Sequence, residues 1–439
     1  MSSVYEQFSR VLHCNSSEQS RLVLALSGGI DSRVMLHLLS RFIRETGREA
    51  AAVHIHHGLS AHADLWAEQC RQWCKDVGIP FQLHPVSLDR HAKGGLESIA
   101  RQARYEALQH YVGANDVLLT GQHSYDQVET FLLALKRGSG PKGLSSMGEV
   151  AEFGAGKLLR PLLKLSRPEI EAFAERYQLD WVEDESNQDI HFDRNFIRHK
   201  ISPVLMQRWP ELPAAVQRSA ELCAEQEALL DELLEQQLDF AMLSDGSLSV
   251  SVLLSFSEAV CRRVLRMWLS RCDVLMPSRL QLLALYHQVI QAKEDADPHL
   301  NLGHRTIRRF AGKLYCVSPV EDVSEWQQDI SFNQSLELPD QLGLITLREC
   351  DEGALSREKL VGMSLKISFN PQGLSACPVG RCGSTKLKKL FQEYRVPVWQ
   401  RRRMPILMAG EQVVAIARLF VDRDFTGSGC DLIWKTDRI

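Results

Sequence analysis

A glycine-centred turn near the N-terminus constrains the fold of this 439-residue chain more than any other segment. An apolar run at residues 22–26 leads into Ser-Gly-Gly-Ile-Asp-Ser at 27–32, and an amphipathic stretch follows at 34–43. That order predicts a strand, a glycine turn and a helix. Adjacent glycines let backbone N–H groups turn inward, and the following helix N-terminus adds partial positive charge. The segment therefore predicts a phosphate or pyrophosphate site.

This turn differs from the two common glycine-rich phosphate loops. It lacks the Gly-Lys-Ser/Thr ending of a Walker loop and the G-x-G-x-x-G spacing of a dinucleotide fold. For the letters SGG alone, a plain turn with a capped helix is the simpler interpretation. The whole hexapeptide in its strand–turn–helix setting resembles the signature of the N-type ATP pyrophosphatases, which split ATP between the α and β phosphates. The resemblance implies an ATP-binding loop made of Ser27, Gly28, Gly29, Ile30, Asp31 and Ser32, with Asp31 as a Mg²⁺ ligand.

The first 125 residues alternate between strand and helix patterns. Strands are expected at 22–26, 50–55, 81–86 and 116–120, and helices at 34–44, 65–77 and 96–111. This alternation predicts an α/β fold with an N-terminal doubly wound parallel sheet. Ligands bind such sheets beyond the C-terminal ends of the strands. The turns that follow the first, second and fourth strands should therefore meet at one site.

The rest of the chain predicts further domains. Residues 138–157 contain six glycines and a proline, which predicts a mobile loop or lid next to the site. Helices at 213–239, 258–271 and 278–290 precede strand candidates that include 308–316 and 344–349. We expect a PP-loop ATP-binding catalytic domain at 1–212, a mainly helical domain at 213–320 and a small α+β C-terminal domain at 321–439.

Composition excludes several classes of protein. No stretch is long and apolar enough to span a bilayer, and the N-terminus lacks the order of a signal peptide, so we expect a cytoplasmic protein without a membrane partner. The eleven cysteines lack C-x-x-C spacing, which favours reduced thiols over a zinc site. The net charge of −4 argues against nucleic acid, but residues 381–403 carry a local charge of +7. With two further basic clusters, this segment indicates a polyanionic partner.

Polar residues follow the second strand and lie on the third helix pattern. His54, His57 and Gly58 stand where such sheets usually hold an adenine or ribose. The histidines lack the nearby carboxylate or cysteine that a metal site needs. Arg101 and Arg104 share one helix face and can supply the positive charge that a Walker lysine would provide.

Two carboxylates begin the helix that follows the fourth strand. Asp126 and Glu129 lie one turn apart on one face. They would repel a triphosphate unless a magnesium ion or an ammonium group lies between. Further along, an acidic and amide-rich turn at 184–189 precedes Arg194 and Arg198.

Five motifs in this order resemble those of the tRNA(Ile)-lysidine synthetase family: S-G-G-x-D-S, H-x-x-H-G-L, E-S-x-A-R-x-x-R-Y, D-Q-x-E-T and D-x-x-N-x-D-x-x-x-x-R-N-x-I-R. The match covers the first 205 residues closely, and residues 387–407 resemble the family's C-terminal domain. The resemblance implies that ATP and Mg²⁺ drive ligation of free L-lysine to carbon 2 of the wobble cytidine in the CAU anticodon of isoleucine tRNA. An adenylated cytidine is the intermediate, and the products are lysidine, AMP and pyrophosphate. The modified tRNA reads AUA and is charged with isoleucine.

The resemblance also implies residue roles. Asp126 or Glu129 holds the lysine ammonium groups or acts as base, and Arg194 or Arg198 holds a carboxylate or the RNA backbone. The catalytic candidates are Asp31, Asp126, Glu129 and Arg194. The lysine-binding candidates are Gln122, His123, Asp126, Glu129 and Arg198. The tRNA-binding candidates are Arg305, Arg308, Arg309, Lys386, Lys388, Lys389, Arg401, Arg402 and Arg403.

Two positions depart from the family's pattern, and other functions stay open. Gln122 stands where the family often has a histidine and Ser60 where it often has an arginine, so position 122 can bind but not titrate. Another tRNA-modifying PP-loop enzyme, such as a tRNA thiolase, usually carries C-x-x-C pairs that this chain lacks. A non-catalytic RNA-binding protein is disfavoured by the intact loop and carboxylates. The sequence leaves a homodimer open.

Overall fold

The computed structural model describes residues 4–58, 60, 62–87, 96–292 and 298–436, with only the backbone at 96–98. The motif residue Leu59 and the side chains of Glu97 and Ser98 lie outside the described residues. The chain forms two compact units, Met1–Leu230 and Asp231–Ile439. The three domain ranges expected from the sequence stay a prediction.

A six-stranded sheet organises the first unit and confirms the predicted α/β fold. Its strands lie in the order β3-β2-β1-β4-β6-β5, and all neighbours are parallel except the β5–β6 hairpin. The strands are β1 (Leu22–Ala25), β2 (Ala50–His56), β3 (Phe81–Pro85), β4 (Val117–Leu119), β5 (Val150–Phe153) and β6 (Gly156–Leu159). The helices are α1 (Val4–Asn15), α2 (Ile30–Thr46), α3 (Ala63–Val77), α4 (Leu96–Gln109), α5 (Ser124–Lys136), α6 (Pro141–Leu144), α7 (Arg167–Arg176), α8 (Asp193–Phe196), α9 (Ser202–Arg208) and α10 (Leu212–Ala241). A 3₁₀ turn spans Glu185–Gln188, and a π-helical turn, Ile197–Ile201, joins α8 to α9.

The sheet has an apolar core on each face. Successive side chains of a strand point to opposite faces. Leu22 and Leu24 accordingly pack in the larger core, which also contains residues of α1, α2, α3 and α7. Val23 packs in the smaller core with Leu108 of α4. Helices therefore cover both faces, which leaves the carboxyl edge of the strands for a ligand.

The glycine-rich segment 138–157 is not the loop or lid that its composition predicts. It forms α6 and most of the β5–β6 hairpin, and β6 pairs in parallel with β4. A Cβ at Gly156 would lie 2.5 Å from the carbonyl oxygen of Asp116 and 2.6 Å from that of Gly113. This glycine therefore permits a close backbone approach, a use of glycine that composition cannot distinguish from a mobile loop.

The second unit is richer in β structure, with strands that are mostly short. A four-stranded antiparallel sheet, β7-β10-β9-β8, lies beside the helices α11–α13. A five-stranded sheet, β11-β15-β18-β19-β20, and a second four-stranded sheet, β12-β13-β21-β14, follow. The helices are α11 (Val250–Ser255), α12 (Glu258–Arg271), α13 (Arg279–Ala284), α14 (Arg357–Leu360) and α15 (Leu387–Glu393). A π-helical turn spans Leu285–Ile290, and 3₁₀ turns span Val398–Gln400 and Arg423–Phe425. The strands are β7 (Leu248–Ser249), β8 (His299–Leu302), β9 (Arg305–Phe310), β10 (Lys313–Val317), β11 (Gln327–Asp329), β12 (Ser335–Glu337), β13 (Leu344–Cys350), β14 (Leu355–Ser356), β15 (Leu365–Ser368), β16 (Ser375–Ala376), β17 (Thr385–Lys386), β18 (Ile406–Ala409), β19 (Gln412–Ile416), β20 (Phe420–Val421) and β21 (Gly429–Lys435).

The single strand expected at 308–316 is wrong. These residues belong to the antiparallel β9–β10 hairpin, in which Lys313 pairs with Phe310. Ala311 and Gly312 form the two-residue turn with φ angles of 48° and 75°. Positive φ at both positions suits a two-residue hairpin turn. The turn is not evident from the sequence, because alanine is an unusual residue at the first position of such a turn. None of the described helices is both long and apolar enough to cross a membrane.

Candidate active site

The predicted phosphate loop lies between β1 and α2. Gly28 has a φ of 94°, which favours glycine, and a Cβ there would also press against the sulfur of Cys70 at 3.3 Å. The Ser32 hydroxyl accepts from the Gly28 N–H at 3.0 Å and donates to the Gly29 carbonyl at 2.9 Å. Ser27 donates to the same hydroxyl at 3.1 Å. Ser32 thus braces the loop, and among the described residues no side chain caps the N-terminus of α2.

The residues predicted to bind adenosine lie beside this loop. The Nδ1 of buried His54 donates to the Leu26 carbonyl oxygen at 2.8 Å, which fixes the chain just before the loop. Burial lowers the pKa of His54. The Nε of Arg104 donates to the Nε2 of His57 at 3.3 Å. Burial and then the Arg104 charge lower the pKa of His57 to about 4, and Gly58 turns the chain with a φ of 62°.

Arg198 links the two predicted carboxylates of α5. Its Nε and Nη2 donate to the two oxygens of Glu129 at 2.6 and 2.9 Å, and Nη2 also reaches Asp126 at 3.1 Å. Arg194 lies 3.5 Å from Glu129 and donates to Thr130 at 3.0 Å. The arginines therefore supply the cations that the paired carboxylates require. Both oxygens of Glu129, which is 1% exposed, are engaged.

The two carboxylates differ electrostatically. Burial raises the pKa of Asp126, but the ring and the backbone N–H of His123, with Arg198, outweigh it and hold that pKa below its usual range. Burial raises the pKa of Glu129, with Asp126 adding to the rise and Arg198 opposing it. The bidentate geometry of Arg198 is that of an ion pair. Asp126 is the carboxylate with the stronger preference for its charged form.

His123 connects α5 to the phosphate loop. Its Nδ1 accepts from the Tyr125 N–H at 3.2 Å, so the proton of the neutral ring is on Nε2. That Nε2 lies 3.5 Å from Asp126 and 3.7 Å from Asp31. The preceding Gln122 keeps a buried Oε1 without a hydrogen-bond partner. These contacts place the predicted lysine-binding residues next to the predicted magnesium ligand.

Asp31 has a charged neighbour that the sequence did not indicate and a close backbone neighbour in the turn after β4. Arg167, the first residue of α7, lies 3.3 Å from its carboxylate. A Cβ on Gly121 would lie 3.1 Å from the carbonyl carbon of Asp31. Burial raises the pKa of Asp31, and His123 and Arg167 oppose the rise. The position of α7 directly after β6 could have placed Arg167 at this edge, because that strand ends there too.

The acidic turn predicted at 184–189 adjoins the phosphate loop. The Val182 N–H donates to the Gly28 carbonyl at 3.0 Å. Asp184 caps the 3₁₀ turn by accepting from the Ser186 N–H at 2.9 Å. Asn195 donates to the carbonyl oxygens of Ser186 and Asp189, both at 2.9 Å. This asparagine therefore fixes the turn that lies against the loop.

The predicted tRNA-binding residues of the second unit fall into two groups. The side chains of Lys386, Lys388 and Lys389 are exposed and form no ion pair with the described residues. Several arginines instead have partners within the unit: Arg305 with Ser318, Arg308 with the Trp399 ring, Arg309 with the Ile290 carbonyl, Arg401 with the Val396 carbonyl, Arg402 with Asp322 and Arg403 with Asp340. The lysines are the available cations, and most of the arginines also support local structure.

A metal site assembled from protein side chains alone does not occur in the described part of the chain, where no group of three or more His, Cys, Asp and Glu residues has suitable geometry. Asp31 offers a single carboxylate beside the phosphate loop. That arrangement fits Mg²⁺ held jointly with substrate phosphates, because this ion usually takes one or two carboxylates together with phosphate oxygens.

Comparisons with known proteins cover nearly the whole chain. Family models match residues 2–205 (PP-loop domain), 248–315 (TilS substrate binding domain) and 365–436 (TilS substrate C-terminal domain). A protein of Vibrio parahaemolyticus named tRNA(Ile)-lysidine synthase is 51% identical over 435 residues, which is 99% of each chain. The protein of that name from Photobacterium profundum is 46% identical over 98% of this chain and 99% of its own. A solved structure, the U34-tRNA thiolase NcsA from Methanococcus maripaludis, is 18% identical with a TM-score of 0.44 and covers 51% of this chain and 78% of that one.

Proposed function

Since the chain belongs to the tRNA(Ile)-lysidine synthase family, we propose that it ligates free L-lysine to carbon 2 of the wobble cytidine in the CAU anticodon of isoleucine tRNA, at the expense of ATP, in the cytoplasm. The proposal rests on the residues that lie together at the carboxyl edge of the sheet. There the uncapped N-terminus of α2 lies beside His123, Asp126 and their arginine partners.

The chemistry of cytosine explains why ATP is needed. Carbon 2 carries a urea-like carbonyl, which is a poor electrophile. Adenylation of its oxygen makes AMP the leaving group, and the lysine side-chain amine then attacks carbon 2. The enzyme must hold the α phosphate, the cytidine and the lysine in line, since positioning supplies much of the rate.

The residues of the phosphate loop hold the nucleotide. Backbone N–H groups between Gly28 and Ser32 bind phosphate oxygens at the positive end of α2. Arg101 and Arg104 add charge, and His54, His57 and Gly58 shape the adenosine side. Asp31 would hold Mg²⁺, which neutralises charge on the departing pyrophosphate when bound.

Lysine is held by the cluster on α5. Asp126, ionised and backed by His123, attracts an ammonium group, and Gln122 offers its free Oε1. Glu129 is fully engaged by Arg198, so it orients that guanidinium toward the lysine carboxylate. Arg194 stabilises the same arrangement through Glu129 and Thr130.

A direct assay tests this function. Purified protein with ATP, labelled lysine and isoleucine tRNA bearing a CAU anticodon should incorporate label, and methionine tRNA should not. Asp31→Ala should abolish adenylation, whereas Glu68→Ala on the exposed face of α3 should not. Equal labelling of both tRNAs, or none, contradicts the proposal. Absence of any ATP–pyrophosphate exchange would favour a non-catalytic RNA-binding protein.

A further inference from the structure

Arg160 is a buried cation that forms no ion pair with the described residues. It directly follows β6, at the carboxyl edge of the sheet, and is 8% exposed. Its Nη1 donates to the Gly148 carbonyl at 2.7 Å, but its buried Nε has no hydrogen-bond partner. Burial lowers the pKa of Arg160, and the charge of Arg101 lowers it further. Buried charges are normally paired, so this side chain requires an explanation.

Two more guanidinium groups, those of Arg101 and Arg104, lie near Tyr105, which also interacts with Arg160. Arg160 interacts electrostatically with Tyr105, which opposes the lowering of its pKa. Arg101 donates to the Tyr105 hydroxyl at 3.3 Å and lies 4.9 Å from the centre of the ring. Arg104 is exposed and interacts electrostatically with both Arg101 and Tyr105. Three cations thus interact with one tyrosine, and of these Arg101 hydrogen-bonds its hydroxyl.

The charges of this cluster do not balance within the described residues. None of the three arginines has a carboxylate within ion-pair distance there. Asp184 attracts Arg104 only from farther away, and the mutual repulsion of the arginines opposes the arrangement. An anion with several acceptor oxygens would remove the repulsion and give the Nε of Arg160 a partner. A phosphate group fits best, because guanidinium groups match its oxygens and its charge exceeds that of a carboxylate.

We propose that Arg160, together with Arg101 and Arg104, binds a phosphate group and is a substrate-binding residue of the enzyme. The proposal rests on the proposed function, which supplies two sources of phosphate, the ATP triphosphate and the tRNA backbone. Arg160 is the buried floor of this site, and Arg101 and Arg104 are its exposed rim.

The test replaces Arg160 by methionine, which keeps an unbranched side chain and removes the charge. The KM for ATP or the KM for tRNA should rise about tenfold or more, the loss expected for a charged hydrogen bond. The substrate whose KM rises identifies the source of the phosphate. If the phosphate belongs to tRNA, the variant should also show a shallower slope of log K for tRNA against log salt, by about the amount expected for one lost phosphate contact. Arg160→Lys should recover part of the affinity, and Arg71→Met, an exposed residue of α3, is the matched control.

Stability separates this role from a structural one. Removing an uncompensated buried charge should leave the Tm of the ligand-free protein unchanged or higher, whereas removing a structural brace should lower it. Unchanged KM values for both substrates in Arg160→Met overturn the proposal, whatever the Tm.

A binding measurement makes the result independent of lysidine formation. Calorimetry should show that wild-type protein binds inorganic tripolyphosphate, with about tenfold weaker binding by Arg160→Met if ATP is the source. If Arg160→Met binds tripolyphosphate more weakly than wild type but the wild-type protein makes no lysidine, the proposed function is rejected and the phosphate site is kept. Lysidine formation with unchanged KM values in the variant would reject the site and keep the function.

Discussion

Single residues in this protein act mainly through their charge partners, and Arg198 is the clearest case. It contacts both oxygens of Glu129 and one of Asp126. Glu129 is 1% exposed, so its carboxylate is shielded from bulk water while the guanidinium is in place. A buried carboxylate that loses its partner costs far more than the pair contributes.

Arg198→Ala should lower the free energy of unfolding by about 3 kcal/mol, because it leaves Glu129 unpaired. Arg198→Lys should cost less than Arg198→Ala, because the ammonium keeps a positive charge beside Glu129. Urea unfolding of the variants measures this. Adding Glu129→Gln to Arg198→Ala should restore part of the loss, and purely additive effects would show that the two residues are not coupled.

His57 gives the protein a pH-dependent stability. Its pKa falls from 6.5 in a free side chain to about 4 here, so between these values the unfolded chain binds more protons. Stability therefore falls as the pH drops from about 6.5 to about 4, and the His57 contribution is constant below that window. His57→Gln should make the decline shallower in urea unfolding at pH 7 and pH 5, with the exposed His304→Gln as control. A slope equal to that of wild type would contradict the shift.

The sequence predicts residues near strand ends well and long-range partners poorly. Asp31 and His123 follow β1 and β4, and parallel strands end at one edge, so their proximity is foreseeable. Arg198 contacts Glu129 across 69 residues, and Arg167 contacts Asp31 across 136. Those contacts depend on how helices pack after the sheet has formed, which no local pattern encodes.

Elements are predictable where hydrophobic period and capping agree. The helix expected at 258–271 is confirmed as α12, whose N-cap Ser257 accepts from the Val260 N–H. Prediction fails where glycine has two opposite uses. In segment 138–157, a Cβ added at Gly140 would have no heavy atom within 4 Å, whereas a Cβ at Gly156 would overlap backbone oxygens of Gly113 and Asp116.

This contrast yields a matched pair of variants. Gly156→Ala should destabilise the protein by about 2 kcal/mol or more, because its Cβ would overlap backbone oxygens that cannot move without separating β6 from β4. Gly140→Ala should change stability by less than about 0.5 kcal/mol, since its φ of −76° suits alanine and the space is open. Thermal unfolding measures both. Equal effects would mean that β6 is less tightly held than the backbone indicates.

Over the whole molecule, charge is distributed unevenly. The net charge is −4, yet exposed lysines concentrate on and just before α15. Arg403 belongs to the same basic segment but has a different role, because its guanidinium lies 2.8 Å from Asp340 and its side chain is 14% exposed. The sequence alone does not distinguish these residues. Their exposure and ion pairs in the structure show that the lysines are available to a partner and that Arg403 is paired within the protein.

The two kinds of cation should respond differently to mutation. Replacing Lys386, Lys388 and Lys389 by glutamine should raise the KM for tRNA, leave the KM for ATP and the Tm unchanged, and reduce the slope of log K against log salt by about 2 to 3, as expected for three lost phosphate contacts. Arg403→Gln should instead lower the Tm, because it leaves Asp340 without its cation. Titrations of tRNA at several salt concentrations, with thermal unfolding of each variant, measure both effects. An unchanged salt slope in the triple variant would mean that tRNA binds elsewhere, and an unchanged Tm in Arg403→Gln would mean that this arginine is free to bind RNA as well.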